Sequence, residues 1–419
     1  MRQSAHEAKQ ARRMAPLSSL TVSFSQKGLN KLITPSADTK DPQFAAGQFA
    51  DATALGDTLD NWRKEFKQDI DGLFEIISVD IPSCYRAALD LAPGINDAIT
   101  IQFVHVGQVR PGDEKGHEHF GFNDGISQPF VKIEDDKKRD RNPYPGQLIV
   151  NPGVLLLGRT GDETARPDWA KNGSFLAYRQ LKQLVPEFKE FLTQAALGLL
   201  PIGRFSDEKR LEKMAAYIGA RLMGRWTSGC PVVLTPFKQG SIPEDIPKIG
   251  NDPKQNNNFD FGPRNETPRR QALCPFAAHV RKSRPRTDLP EDVGEQHAIM
   301  RSGIAYGPEV TEFEKVVKTT LFERGLAFVC YQSSLGLGFR FIQKVWCNAV
   351  NFPLDTDAQP GFDPIVGQAA GAAREMTGYD AADTSKKLQL PKEFVIAEGG
   401  EYLFLPSIST LKKIASGSF

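Results

Sequence analysis

Two apolar periodicities intermingle along this chain without regular alternation, and that limits its fold more than any single residue does. Strand-like runs fall at Leu20 to Phe24, Ile99 to Val106, Gln147 to Leu157 (broken by Asn151, Pro152 and Gly153), Gly173 to Tyr178 and Leu326 to Tyr331. Helical spacing is read from Leu29, over Asp60 to Phe74 with Trp62, Phe66, Ile70 and Phe74 on one face, and after Pro186 through Phe188, Phe191, Leu192 and Ala195. A further helix is capped by Ser206, carries Asp207 and Glu208 in its first turn, and buries Leu211, Met214, Ile218 and Leu222. Phe339 to Cys347 is also helical in spacing, whereas Phe394 to Val395 and Tyr402 to Leu405 flank Gly399-Gly400 as a hairpin. A doubly wound parallel sheet would repeat strand and helix in turn, and no fixed-period repeat is present, so the pattern predicts an α+β fold.

At 419 residues the chain exceeds what one hydrophobic core usually serves, which predicts two domains. Lys plus Arg number 52 and Asp plus Glu 51, a net charge of +1, so no global basic field draws the chain to nucleic acid. Neither a secretory signal nor an apolar run long enough to span a bilayer is read. Cys84, Cys230, Cys274, Cys330 and Cys347 are odd in number, scattered and without a C-x-x-C pair, and are read as buried thiols of a reducing, cytoplasmic compartment. The charge run Glu134 to Arg141 is read as a solvated turn, and polar, Asn/Pro-rich 239–270 as a long surface loop.

Few segments could carry chemistry. In FGFNDGISQP, Gly121 and Gly125 bracket Asp124 and permit a turn that aims the carboxylate inward; a solvated Asx turn is the plainer alternative. His117 and His119 form H-x-H, two metal ligands on one face if on a strand, but with no third ligand by spacing. His105 sits in an apolar run and reads as a core residue. His279 is preceded by CPFAA and followed by Arg281, Lys282, Arg284 and Arg286. An imidazole between an apolar wall and a cationic cluster suits haem, with its axial ligand and two propionates, although a basic surface patch beside a core histidine is the competing reading. Arg301, in IMRSGIAYG, reads as an inward guanidinium. Facing Asp124, it would form an acid–base pair suited to peroxide.

Taken together, these segments resemble the dye-decolorising peroxidase family, closest to its longer, fungal-like and cyanobacterial branch. The family's G-x-x-D-G signature matches Gly121 to Gly125, and the resemblance continues in order through NGSFLAYRQL at Asn172, GRWTSGCPV at Gly224, CPFAAHVRKSRPR at Cys274, RSGIAYGPE at Arg301, RGLAFVCYQ at Arg324, FRFIQKVW at Phe339 and FDPIVGQ at Phe362. The resemblance implies His279 as the axial ligand of haem iron, Asp124 as distal acid and base, and Arg301 as its partner. It implies that Arg286 binds a propionate, that Leu326 and Phe328 line a small peroxide channel, and that Asp363 accepts the other imidazole proton of His279. Trp346 and Tyr306 match positions associated with radical transfer to the surface, with core packing as the alternative.

The fold so implied is two ferredoxin-like α+β modules: 1–115, abbreviated because the usual opening strand and helix find no counterpart, and 116–419, which holds the haem. The expected activity is that of a haem peroxidase with one haem b per chain. It would take hydrogen peroxide and small aromatic or dye-like reductants, with no nucleic acid or membrane partner and oligomerisation open. A non-catalytic haem carrier on the same scaffold, and a haem-free metallohydrolase built on His117 and His119, are the alternatives.

Overall fold

A computed structural model describes residues 18–33, 36–132, 142–200, 207–262 and 270–418. The main strands are β1 (Ser19–Phe24), β2 (Gly72–Ile77), β3 (Ser174–Gln183), β4 (Met300–Arg301), β5 (Ile304–Tyr306), β6 (Gly325–Gln332) and β7 (Val395–Leu405). They form one antiparallel sheet in the order β2-β1-β7-β3-β6-β4, with β5 also on β6. The sheet thus joins strands from both sides of the boundary expected at 115/116.

The helices α1 (Gln26–Leu32), α2 (Ile81–Ile95), α3 (Val185–Leu197) and α4 (Glu208–Met223) have local causes. Ser25 caps α1, and Pro186 sits in the first turn of α3. The cap of α4 is Asp207, whose side chain accepts from the Arg210 amide at 3.1 Å; Ser206 lies outside the described residues, as does the expected charged turn at 134–141. The apolar faces of α3 and α4 bury Phe188, Phe191, Tyr217 and Ile218 in the largest core cluster, with Phe120, Trp226 and Phe394.

Several expectations need correction. The glycine pair Gly399-Gly400 is no hairpin turn. β7 runs straight through it with a register shift between Ala397 and Gly399. A Cβ on Gly399 would stand 2.3 Å from the Phe66 ring, and one on Gly400 2.1 Å from the Tyr178 carbonyl, so these glycines serve close approach within a strand. Asp60 to Phe74 is not one helix: two short turns, Leu59–Asn61 and Lys64–Lys67, lead into β2. The reason is tertiary, since the Arg63 amide donates to the Glu398 carbonyl of β7 at 2.8 Å and the Trp62 indole to Asp57 at 3.2 Å. Ile99 to Val106 makes no strand, and Ile101 and Val104 are exposed; ladder contact there is limited to a bridge between Gly107 and Tyr306. Of the segment read as a surface loop, 263–269 lies outside the described residues, while Asn256, Asn257, Phe259 and Phe261 are buried. Cys84 is half-buried, unlike the four other thiols.

The Arg179–Asp57 pair ties the early segment to the central strand. Both guanidinium NH2 groups donate to the Asp57 carboxylate, at 2.8 and 2.7 Å, and both side chains are buried. Removing one charge of such a pair strands the other in low dielectric. Asp57→Asn is therefore expected to lower stability by about 3–5 kcal/mol, read as a lower denaturant midpoint; a midpoint within error of the parent protein would show the pair to be dispensable.

Candidate active site

Alternation along β3 and β6 sends Arg179, Leu181 and Gln183 to the same face as Leu326 and Phe328, because Arg179 pairs with Phe328 and Leu181 with Leu326. Arg301 on β4 pairs with Cys330 and so joins that face. All six line a cavity of about 600 Å³. The wall opposite comes from the turn around Asp124, the helical turn His279–Lys282, and the segments carrying Trp346 and Ile365.

Gly121 and Gly125 have φ of 99° and 82°, the left-handed backbone that two non-glycine residues would resist. The turn they make is stitched by the Asp124 amide donating to the Gly116 carbonyl at 3.0 Å and the Gly125 amide donating to the Asp124 carboxylate at 2.6 Å. The Arg301 guanidinium donates to the same carboxylate. Its backbone is held by Gln128, which accepts from the Arg301 amide at 3.1 Å and donates to its carbonyl at 2.8 Å. Burial pushes the Asp124 carboxyl up, but the Arg301 charge and the Gly125 amide outweigh it, so the group lies below the ordinary carboxylate range. A smaller cavity of about 180 Å³ touches Asp124, Arg301, Gly303 and Leu326 and extends toward Val109 and His117.

Across the cavity, His279 follows the buried wall Cys274, Phe276, Ala277 and Ala278. Its Nδ1 lies 2.8 Å from Asp363 Oδ2, while Asp363 Oδ1 accepts from the amides of Ile365 and Val366 at 2.8 and 3.0 Å. Burial pulls His279 down, but the adjacent carboxylate more than compensates and the imidazole ends above its ordinary value. The same pair, against burial, holds Asp363 low. With Nδ1 engaged, Nε2 is the ring nitrogen left for another partner.

Between these two groups stands a cationic cluster that differs in membership from the run after His279: Arg281 is paired with Asp288 and Lys282 donates to the Trp346 and Ala349 carbonyls, while Arg225 joins from a distant part of the chain. Arg286 is joined by Arg284 and Arg225, and none of the three is in an ion pair among the described residues. Arg225 and Arg286 both donate to Ser127 Oγ, at 2.8 and 3.3 Å, and both lie over the Phe259 ring. Burial, then mutual repulsion with the other arginines, pushes Arg286 well down and Arg225 to about 9; burial alone takes Arg284 to about 10. The Nε of Arg286 is buried with no partner. Guanidiniums that are buried (Arg225) or half-buried (Arg284 and Arg286) without a counter-charge call for an anionic ligand. Together with the apolar floor of Leu326, Phe328, Val280 and Ile365, they fit a flat apolar ring system bearing carboxylates, the chemistry of haem.

The H-x-H pair behaves otherwise. His119 Nε2 bonds to the Tyr306 carbonyl at 2.8 Å, whereas His117 Nδ1 lies 3.3 Å from Glu114. No cluster of three potential metal-ligating side chains occurs among the described residues. Nothing among the described residues supports the metallohydrolase reading. Trp346 lines the cavity but is only 3 % exposed, stacked on Phe352 with centroids 5.5 Å apart; Tyr306 is buried on the far side of the sheet. His105 is half-buried beside it, not a core residue. Arg225, Ser127 and Phe259 were not legible as site residues; the FDF pair inside the polar 239–270 stretch was the available signal.

Residues 1–111 match the family model described as the DyP dimeric alpha+beta barrel domain. Over 402 residues the chain is 43% identical to a dye-decolorizing peroxidase of Exidia glandulosa, covering 94% of this chain and 75% of that protein. This chain belongs to the dye-decolorizing peroxidase family. It is also 41% identical over 406 residues to a dye-decolorizing peroxidase of Auricularia auricula-judae, across 94% of this chain and 75% of the relative. An ancestral D-type dye-decolorizing peroxidase superposes with a TM-score of 0.86 at 44% identity, over 97% of this chain and 88% of the other. A solved dye-decolorizing peroxidase in complex with 2,6-dimethoxyphenol superposes at 0.85, with 41% identity over 97% of this chain and 87% of that one. Peroxidases of this family are haem-dependent, and the protein is a haem peroxidase of α+β fold. The carrier reading is not favoured. Among the described residues no helix is long and apolar enough to cross a membrane.

The cationic cluster makes a specific demand on its ligand. Arg286→Leu is expected to weaken haem uptake about tenfold or more, the ~1.5–3 kcal/mol of a hydrogen bond to a charged group, measured by titrating haem into haem-free protein. The dimethyl ester of the porphyrin should bind the parent and the variant alike. Equal affinity of both proteins for the free acid would exclude the arginine from carboxylate binding.

Proposed function

We propose that this peroxidase uses Asp124 as the acid–base group for hydrogen peroxide, Arg301 as its electrostatic partner and His279 as the axial ligand of one haem b per chain, all within 116–419. When bound, the haem supplies the iron at which the peroxide O–O bond is broken and where the resulting oxidising equivalents reside. The observation that carries the reading is the convergence of a carboxylate–guanidinium pair and a carboxylate-anchored imidazole on one cavity that also holds three arginines with no ion pair among the described residues.

The ionised Asp124 carboxylate takes a proton from peroxide bound in the cavity. The Arg301 guanidinium, always cationic, stabilises the negative charge that builds on the departing oxygen. Asp124 then returns the proton to that oxygen, so that water leaves and the carboxylate is restored. Asp363 keeps a proton on His279 Nδ1 and thereby leaves the Nε2 lone pair for iron. Arg286, with Arg225 and Arg284, holds the propionates. Leu326 belongs to both cavities, and with Phe328 it restricts entry on the Asp124 side to molecules of peroxide size.

Reductants are small phenols and dye-like aromatics, each giving one electron at a time. Trp346, which lines the cavity, is the preferred candidate for carrying electrons inward, with Tyr306 the alternative; they are 3 % and 5 % exposed. Five free thiols suit a reducing compartment and support a cytoplasmic location.

Stopped-flow mixing of the haem-loaded protein with peroxide tests the assignment. Asp124→Asn should slow the peroxide step by about 10²–10⁴-fold, the usual worth of a positioned acid–base group. The pH profile has a definite sign. A carboxyl held low is ionised from neutral pH down into the acid range, so the parent rate stays level until pH falls below the ordinary carboxylate range. In Arg301→Leu, burial acts on Asp124 with its main opposing charge gone, and the acid limb moves to higher pH. A parent rate that already declines near neutrality, or an Asp124→Asn variant at full speed, would remove Asp124 from the mechanism.

A further inference from the structure

Behind the cavity, on the opposite face of the sheet, lies a second group of oxidisable side chains. Tyr178 of β3 and Ala327 and Val329 of β6 point there, one residue out of step with cavity-lining Arg179 and Phe328. Tyr178, 8 % exposed, stacks on Phe66 with ring centroids 5.9 Å apart, and Tyr306 belongs to the same cluster. His105 serves both tyrosines differently. Its ring stands edge-on to Tyr306 with centroids 4.4 Å apart, while its Nδ1 lies 2.5 Å from the Tyr178 hydroxyl.

That difference decides which tyrosine is readily oxidised. A phenol that loses an electron becomes a very strong acid, so oxidation is easy only where a base within hydrogen-bond reach takes the proton. Tyr178 has such a base. The Tyr306 hydroxyl is buried without an ordinary hydrogen-bond partner: the Gln180 amide near it is no base, and Glu398 and Glu323 act on it through their charge, with no hydrogen bond among the described residues. Burial, only partly offset by Glu323, lowers His105 from its ordinary value, so the ring is neutral at neutral pH, and with its own proton on Nε2 it accepts at Nδ1.

We propose that Tyr178 is a redox-active tyrosine of this peroxidase, oxidised to a neutral tyrosyl radical by giving one electron toward the cavity and its hydroxyl proton to His105. The proposal rests on the peroxidase reading above, since peroxide supplies the oxidant. In the forward step the Tyr178 O–H bond breaks, an N–H bond forms at His105 Nδ1, and one oxidising equivalent on the cavity side is consumed. A phenolic reductant at the surface then gives one electron to the Tyr178 oxygen. The imidazolium returns its proton to that oxygen, and the oxidised phenol releases its own proton to water. His105 provides the way out: it is half-buried, its neighbours Val104 and Val106 are 72 % and 39 % exposed, and the Arg63–Glu323 ion pair at 2.7 Å stands close by.

The test is high-field electron paramagnetic resonance on haem-loaded protein freeze-quenched after peroxide, without reductant, with and without ring-deuterated tyrosine. Expected is a signal that narrows on deuteration and whose g tensor shows a hydrogen bond donated to the radical oxygen. This readout needs no variant, so it stands even if a substitution impairs folding. Tyr178→Phe should lose most of that component, and His105→Leu should lose it or shift its g tensor to that of an unbonded oxygen. A tyrosyl signal with no hydrogen bond that survives Tyr178→Phe and vanishes in Tyr306→Phe overturns the proposal. So does a purely indole signal lost in Trp346→Phe, or no protein radical at all. The absorption spectrum of the same sample shows whether the haem has reacted with peroxide, so failure of the peroxidase reading is told apart from failure of Tyr178.

Discussion

The buried ion pair between Arg179 and Asp57 is the constraint around which the rest is arranged. A guanidinium in the middle of an antiparallel sheet is tolerated only where a carboxylate meets it with both oxygens. Asp57 does so and also accepts from the Trp62 indole. Anchoring Arg179 fixes the face of β3, and a strand fixed at one residue is fixed at all. Leu181 and Gln183 then face the cavity with Arg179, while Tyr178 faces the aromatic cluster behind. The same contact draws the early segment onto the central strand, which is why the turns after Asp57 end in β2 instead of continuing as a helix.

Electrostatics divide the cavity into two regions of opposite character. Asp124 and the His279–Asp363 pair each have a charged partner that wins over burial: the two aspartates are held low and the histidine high. Around Ser127 the opposite holds. Arg225, Arg284 and Arg286 are displaced toward neutrality, and Ser127 and the Phe259 ring give hydrogen bonding and π contact but no charge. A protein interior seldom retains such a cluster unless a ligand completes it.

The segments carrying the reactive side chains were legible because each rests on local chemistry. Two glycines bracketing an aspartate state a left-handed turn, and an apolar wall followed by arginines states a histidine between oil and charge; both descriptions hold at Asp124 and His279. The errors also share a cause. Gly399-Gly400 reads as a turn because glycine in a sequence does not reveal whether it bends the chain or makes room for a neighbour, and here Phe66 and Tyr178 occupy the space. Polar 239–270 reads as surface because composition cannot show that Asn257 and Phe259 meet Arg225 and Arg286 from elsewhere along the chain.

The α+β class, the family and the turn at Asp124 are legible from the residues alone, since these depend on periodicity, ordered motifs and backbone sterics within a few residues. Which groups meet is settled by packing: Asp124 with Arg301 across 177 positions, His279 with Asp363 across 84, and His105 with Tyr178 across 73. Such pairings follow from strand register and from the cost of leaving a buried charge or hydroxyl without a partner. Both are properties of the packed sheet, and no local stretch of sequence contains them.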